Sequence, residues 1–178
     1  MWSNLLKDIK RYKEPDNHFH WEEVSIPILI LYRSGSAIRK IRFSPFRILL
    51  TILHLPFYMI FTIITGIQIP RGCKIGPGLR IYHFGCLVLN PLTVIGKNCT
   101  LRHGVTIGNR NEIDDVPVLG DNVDIGAGAK VLGRIKIGNN VSIGANAVVI
   151  TDVPDDHIAV GVPARVILKK SNNQQITE

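Results

Sequence analysis

From Cys73 onward, aliphatic residues recur at six-residue steps. Ile75 and Ile81 start the series; Ile95, Leu101 and Ile107 continue it; Leu119, Ile125, Val131, Ile137, Ile143 and Val149 complete it. Glycine follows the aliphatic residue at 76, 96, 108, 120, 126, 138 and 144. Four positions after each aliphatic comes a second small or apolar residue, as at Leu79, Cys99, Val105, Val123, Ala129, Ile135, Val141, Ala147 and Val153. A period of six fits neither a helix, at about 3.6, nor a plain strand, at about 2. It fits a coil of three short strands joined by tight corners, with the aliphatic pointing inward. Glycine or asparagine supplies the positive φ that a corner needs, and Asn98, Asn122 and Asn140 fall where that helps. Successive coils then stack at about 4.8 Å. The expected fold is mainly β: a parallel β-helix of hexapeptide repeats over residues 67–167. A helical region, 1–66, precedes it, and a polar tail, 168–178, follows.

The repeat breaks twice. Ile81 to Ile95 is 14 residues where two hexads need 12, and the excess lies in YHFGCLVLNPLT, which holds His83. In GNRNEIDDVP, residues 108–117, Ile113 keeps the phase, but the apolar slots after Ile107 and Ile113 are filled by Asn111 and Pro117. Residues 109–117 therefore read as a loop thrown out from the coil, and loops on rigid scaffolds gather binding residues. With Ile95 stacked on Ile75 and Leu101 on Ile81, His83 and His103 each stand two residues after an inward aliphatic. The two imidazoles are expected one above the other on the outer wall, about 4.8 Å apart at the backbone. Two ordinary exposed histidines are the alternative. His18, His20, His54 and His157 share no such register. With two histidines in the column and no H-x3–5-H spacing, no metal site is expected. Cys73, Cys86 and Cys99 are odd in number and far apart. That excludes a CxxC zinc pattern, argues against a disulfide framework and favours a reducing, cytosolic compartment. Cys99 falls on an inward position and reads as core.

Residues 1–47 carry nine Lys/Arg and five Asp/Glu. WSNLLKDIKRYKEPD reads as a short helix ended by Pro15, and WEEVSIPILILYRSGSAIRKIRF as one or two more. The 23 residues 48–70 hold no Asp, Glu, Lys or Arg and are flanked by Arg39, Lys40, Arg42 and Arg47. That is long enough to span a bilayer, and the flanking cations favour an anionic lipid surface. Pro56, His54 and three threonines stand against a span. Three fates are open: a buried helix pair broken near Pro56, packed on the next domain or between subunits; peripheral, in-plane membrane contact; or a span. No cleavable signal sequence is expected. A net charge of +7 suits an anionic partner. Aromatic residues are 7% and do not interleave with a basic stripe, which speaks against nucleic acid.

The hexad run, the segment GLRIYHFGCLVLNPLTVIGKNCTLRHGVTIG and the ending IGANAVVITDVPDDHIAVGVPARVI resemble the hexapeptide-repeat acyltransferases. Within these the likeness is greatest to the serine acetyltransferase-like branch, including O-acetyltransferases of capsule and exopolysaccharide gene clusters. The resemblance covers roughly residues 67–167. It implies a left-handed β-helix, an exception to right-handed crossovers. It also implies a homotrimer, or a dimer of such trimers, with acetyl-CoA as co-substrate in a groove between neighbouring prisms. The histidine matching His83 is the general base for direct transfer. It takes the proton of an acceptor hydroxyl, whose oxygen attacks the thioester carbonyl, and donors from backbone N–H or His103 hold the oxyanion. Gln68 occupies the place, fifteen residues before the base, of a carboxylate that orients it. Its carbonyl oxygen can accept from the ring Nδ1–H but carries no charge, so Asp114 and Asp115 are alternative carboxylates. Cys86 as an acylated nucleophile would need its own base. Ala127 in DIGAGA and Ala145 in SIGANA match positions that let the pantetheine arm approach. Arg165 of GVPAR, with Lys169 and Lys170, would face the coenzyme phosphates; for the lysines a solvated tail is the alternative.

The sequence departs from serine acetyltransferases at several points. Tyr82 stands where they place a serine-holding aspartate, and Val116 where they place a second histidine before the loop proline. NNQQITE lacks their terminal isoleucine, and the helical region is shortened to about 66 residues. These changes fall on serine recognition and leave the acetyl-CoA side intact. The expected acceptor is therefore a sugar hydroxyl on a glycan or lipid-linked precursor of capsule or exopolysaccharide, modified in the cytoplasm or at the inner face of the membrane. Serine O-acetylation in cysteine biosynthesis and a non-catalytic β-helix scaffold are the two alternatives.

Overall fold

A computed structural model of the chain describes residues 2–12 and 25–169. The expectations placed on Pro15, His18, His20 and the tail from Lys170 lie outside these residues.

The hexads form a parallel β-solenoid of about five turns. Its first face stacks β1 (Ile67–Gln68), β4 (Leu87–Leu89), β7 (Thr106–Gly108), β10 (Lys130–Leu132) and β13 (Val148–Val149). The second stacks β2 (Lys74–Ile75), β5 (Val94–Ile95), β8 (Val118–Leu119) and β11 (Lys136–Ile137). The third stacks β3 (Arg80–Tyr82), β6 (Thr100–Arg102), β9 (Asp124–Ile125), β12 (Ser142–Ile143) and β14 (His157–Val160). A last strand, β15 (Arg165–Leu168), pairs antiparallel with β14. Strands this short bury one residue per face only because the coils above and below repeat it. Thus Ile75, Ile95, Leu119 and Ile137 share a register, as do Ile81, Leu101, Ile125 and Ile143, and all are buried. The apolar residues four positions on fill the corners, from Leu79 to Val153, and are buried too.

Where glycine follows the aliphatic, Gly108 apart, it has a different purpose from the one expected. A Cβ on Gly76 would stand 2.5 Å from the Gly96 carbonyl oxygen, so close approach of adjacent coils requires it. Positive φ is supplied two residues later. At the second-to-third corner it falls on Gly78 (82°), Asn98 (56°), Asn122 (57°), Asn140 (56°) and Asp156 (60°). Asn122 Nδ2 donates to Asn140 Oδ1 at 3.0 Å, and Asn140 Nδ2 to Asp156 Oδ1 at 2.9 Å. The side chains thus form a ladder along that edge.

The first coil has no coil before it to satisfy its outward backbone groups. Helices α1 (Trp2–Lys10) and α2 (Ser25–Arg39) close that end. The buried Asp8 carboxylate accepts from Arg33 Nε at 2.7 Å and from the backbone N–H of Gly78 and Leu79 at 2.7 and 2.9 Å. Arg33 in turn donates to the carbonyls of Ile75 and Gly76. Tyr12 and Ser25 engage the backbone of Ile81, and Tyr32 donates to the Cys73 carbonyl. Removing one member of such a buried pair costs about 3–5 kcal/mol, because the other charge is left uncompensated.

Helix α3 (Ser44–Thr65) leads into β1 through Gly66, a left-handed C-cap at φ 66°. It corrects the expectation of a buried helix pair broken near Pro56: one helix runs through Pro56, and its apolar surface is largely exposed in the single chain. The proline is on the exposed side, so the hydrogen bond it removes lies away from the stripe that packs on α2. That stripe is held where His54 Nε2 meets the Leu31 carbonyl at 2.9 Å.

Candidate active site

The two residues in excess of the repeat are absorbed at the third-to-first corner of the first coil. Later coils turn this corner with one positive-φ residue each: Gly104 (71°), Gly128 (74°) and Asn146 (56°). The first coil uses three, His83 (63°), Gly85 (116°) and Cys86 (48°). A residue with a Cβ in this region costs about 1–2 kcal/mol, and such strain collects at functional sites. Gly104 N–H donates to the Gly85 carbonyl at 2.9 Å, which pins the enlarged corner to the next coil and leaves that N–H unavailable to an oxyanion.

His83 and His103 are both exposed on this corner, their ring centroids 5.8 Å apart and their planes at 61°. The column continues downward. Gly128 N–H donates to the His103 carbonyl at 2.9 Å, and Asn146 N–H to the Ala127 carbonyl at 2.8 Å. His83, His103, Ala127 and Ala145 therefore hold one hexad position in four successive coils. The wall beneath the imidazoles carries only methyl groups, Ala127 half-buried and Ala145 exposed. Coils meet closely here, since a Cβ on Gly126 would lie 2.5 Å from Ala145 N. A flush wall of this kind fits a pantetheine arm. Arg165 pairs with Val160 at the foot of the same edge.

Other expected site residues are not gathered there. Gln68 is exposed on β1 in register with Val88, and no hydrogen bond joins it to His83 among the described residues. Its alternation with the buried Ile67 and Ile69 turns it outward. Asp114 pairs with Arg134 at 3.0 Å, and Asp115 accepts from Asn111 N–H at 3.3 Å. Their loop leaves the first-to-second corner between β7 and β8, so neither carboxylate reaches His83 of its own chain. Leu119 pairs directly with Ile95, which makes the loop a bulge from one coil, and Ile113 is 81% exposed. Lys169 donates to the Asn140 carbonyl at 2.5 Å, at the second-to-third corner across the third face from the column. The antiparallel return of β15 carries it there, away from Arg165.

Two site residues escaped the sequence reading. Arg80 and Arg102 flank Tyr82, with Cζ 4.1 and 5.5 Å from its ring centroid, and that ring lies 6.3 Å from His83. Arg102 is paired with Asp124. Arg80 Nε is buried without a hydrogen-bond partner among the described residues. The alternation around the inward Ile81 and Leu101 carries the signal that could have found them, because it turns residues 80, 82 and 102 outward together.

Cys73 and Cys99 are buried, and burial pushes their thiols up to about 12 and about 11. Cys86 is exposed at the enlarged corner. Among the described residues no group of three or more His, Cys, Asp and Glu could hold a metal ion. A cleft of about 450 Å³ between α1, α2 and the first coil is lined by Tyr32, Arg33 and Lys74 and includes neither imidazole. The imidazole column instead stands on an open outer edge of the single prism.

Residues 117–151 match the family described as bacterial transferase hexapeptide (six repeats). The chain is 40% identical over 163 residues to the serine acetyltransferase of Helicobacter pylori strain J99, covering 88% of this chain and 91% of that protein. The crystal structure of serine acetyltransferase from Brucella abortus superposes with a TM-score of 0.80 at 27% identity, covering 94% of this chain and 69% of that one. A serine acetyltransferase complex with CoA gives 0.78 at 28% identity, over 93% and 68% of the two chains. These relatives overturn the sugar acceptor and the capsule and exopolysaccharide likeness expected from the sequence. The departures at Gln68, Tyr82 and Val116 report contacts that are missing and are silent on what replaces them, and they were over-read. The chain is an acetyl-CoA-dependent acyltransferase and belongs to the serine acetyltransferase family.

Proposed function

We propose that the protein acetylates the hydroxyl of L-serine with acetyl-CoA as donor. The observation that carries this is the column in which two imidazoles stand directly above a wall of small side chains, in a chain 40% identical to a serine acetyltransferase over nearly its whole length. Acetyl-CoA, when bound, supplies an activated acyl group whose thiolate is a good leaving group. The His83 imidazole takes the serine hydroxyl proton as the oxygen attacks the thioester carbonyl. It returns the proton to the departing sulfur as the C–S bond breaks. His103 donates a hydrogen bond to the oxyanion, where a preorganised donor is worth most. The serine carboxylate meets the guanidinium groups of Arg80 and Arg102, the cations beside Tyr82. They take over from the serine-holding residues absent at Tyr82 and in the loop. The open edge becomes a slot when a second prism packs against it, so the working unit is a homotrimer in the cytoplasm.

The test is thiol release from acetyl-CoA by the purified full chain on titration with L-serine. Serine-dependent turnover is expected. In His83→Ala it falls by about 10²–10⁴, the usual contribution of a general base. Absence of serine-dependent release, or a near wild-type rate in His83→Ala, rejects the assignment.

A further inference from the structure

Helix α3 has its polarity inside out for a surface helix. The residues that face α2 and the first coil include Thr51, His54, Tyr58 and Thr65, none of which is exposed. His54 meets the Leu31 carbonyl and Ser34 Oγ, Thr65 donates to the Phe61 carbonyl, and Arg71 donates to Thr51. The remaining arc, about 200° at 100° per residue, is apolar and exposed. It includes Ile52, Leu53, Phe57, Ile60, Ile63 and Ile64, with Ile63 at 79% and Ile64 at 65% exposure.

Charge identifies what covers this arc. Residues 25–111 hold eleven Lys/Arg and no Asp or Glu. Arg39, Lys40 and Arg42 are exposed at the turn that leads into α3, next to the exposed Phe43 and Phe46. We propose that α3 lies in the plane of an anionic lipid bilayer, its apolar arc sunk to the level of the acyl chains and the Arg39–Arg42 cluster on the headgroups. A packed partner helix covers a stripe about 100° wide, which would leave half of this arc in water; a lipid surface covers all of it. The inward stripe rides on α2, whose Arg33 is buried in an ion pair with Asp8. A spanning α3 would draw that pair and the first coil toward hydrocarbon, whereas an in-plane helix keeps the prism in water.

Cosedimentation of the full chain with vesicles tests this. Binding to phosphatidylcholine vesicles containing phosphatidylglycerol is expected to exceed binding to phosphatidylcholine alone at least tenfold, and to fall in high salt. The double variant Ile52→Glu, Ile63→Glu loses that binding at least tenfold while keeping the wild-type rate of acetyl transfer. Arg39→Gln with Arg42→Gln weakens it about fivefold per charge removed. Should the glutamate variant fail to fold, Phe57→Trp serves instead: brominated lipid must quench the added fluorescence. Wild-type protein left in the supernatant with anionic vesicles overturns the proposal. So does an added tryptophan that brominated lipid leaves unquenched. An assembly whose mass in sedimentation velocity is halved by the glutamate variant, with no vesicle binding by the wild-type chain, overturns it as well.

Discussion

The second-to-third and third-to-first corners of the prism make the same kind of turn with different materials. The former repeats one solution: a single left-handed residue per coil, Asn98, Asn122, Asn140 and Asp156, the last three linked by side-chain hydrogen bonds. Asparagine and aspartate tolerate that conformation because a short polar side chain can bond locally. The latter departs from the rule in its first coil, with two extra residues and left-handed backbone at His83 and Cys86. One edge is built to be regular and the other to present a ring. Left-handed backbone falls on asparagine and aspartate, which tolerate it, where only stacking is needed, and on His83 and Cys86 at the enlarged corner.

Substitutions at each corner separate these purposes. The largest effect is expected for His83→Gly, with turnover down about 10²–10⁴. Its stability in urea is held or raised by up to about 1 kcal/mol, because glycine relieves the left-handed penalty and gives part of it back in unfolded-chain entropy. Loss of both activity and stability would mean that the enlarged corner is structural. Asn140→Ala is the mirror experiment. It cuts the ladder and places a Cβ without a polar group at positive φ, at a cost of about 1–2 kcal/mol. Thermal melting should fall by about 2–8 °C with kcat for serine unchanged.

Ala145→Phe tests whether the column below the imidazoles is a ligand wall. KM for acetyl-CoA should rise about tenfold, equivalent to about 1.4 kcal/mol of lost binding, with melting little altered because Ala145 is exposed. The smallest effect concerns the thiols. At pH 8 an alkylating agent should modify Cys86 alone, with Cys73 and Cys99 reacting only on unfolding, as mass spectrometry would read. Both buried thiols are raised above their ordinary value of 9.0 because burial disfavours the thiolate. The stability they contribute is therefore complete below about pH 9 and is lost as pH rises toward 11–12. Melting should decline through that window, and less steeply in Cys73→Ala.

Much of the solenoid was legible because a six-residue period is a strict statement about three dimensions. The pairing of Ile81 with Leu101, and with it the stacking of His83 on His103, could be counted from the chain. Fifteen residues along the chain placed Gln68 near the base but carry no direction, and no hydrogen bond joins it to His83 among the described residues. For the same reason the loop aspartates were not placed: within one chain their loop bulges from the first-to-second corner, whereas the imidazoles stand at the third-to-first. Arg80 and Arg102 were passed over because residues outside the hexad's inward positions look interchangeable until their neighbours in the next coil are known.

The sequence alone determined the winding, the core and the column, since each inward aliphatic can be buried only by its own repeat one coil away. Tertiary structure alone decided which polar groups meet between segments far apart in the chain. Asp8 finds Arg33 and the Gly78 corner, Arg80 finds Tyr82 beside His83, and α3 turns its threonines inward and its isoleucines out. These meetings follow no period. Each depends on where an element comes to rest once the hydrophobic stack has formed, and on whether a buried charge or donor can find a partner there.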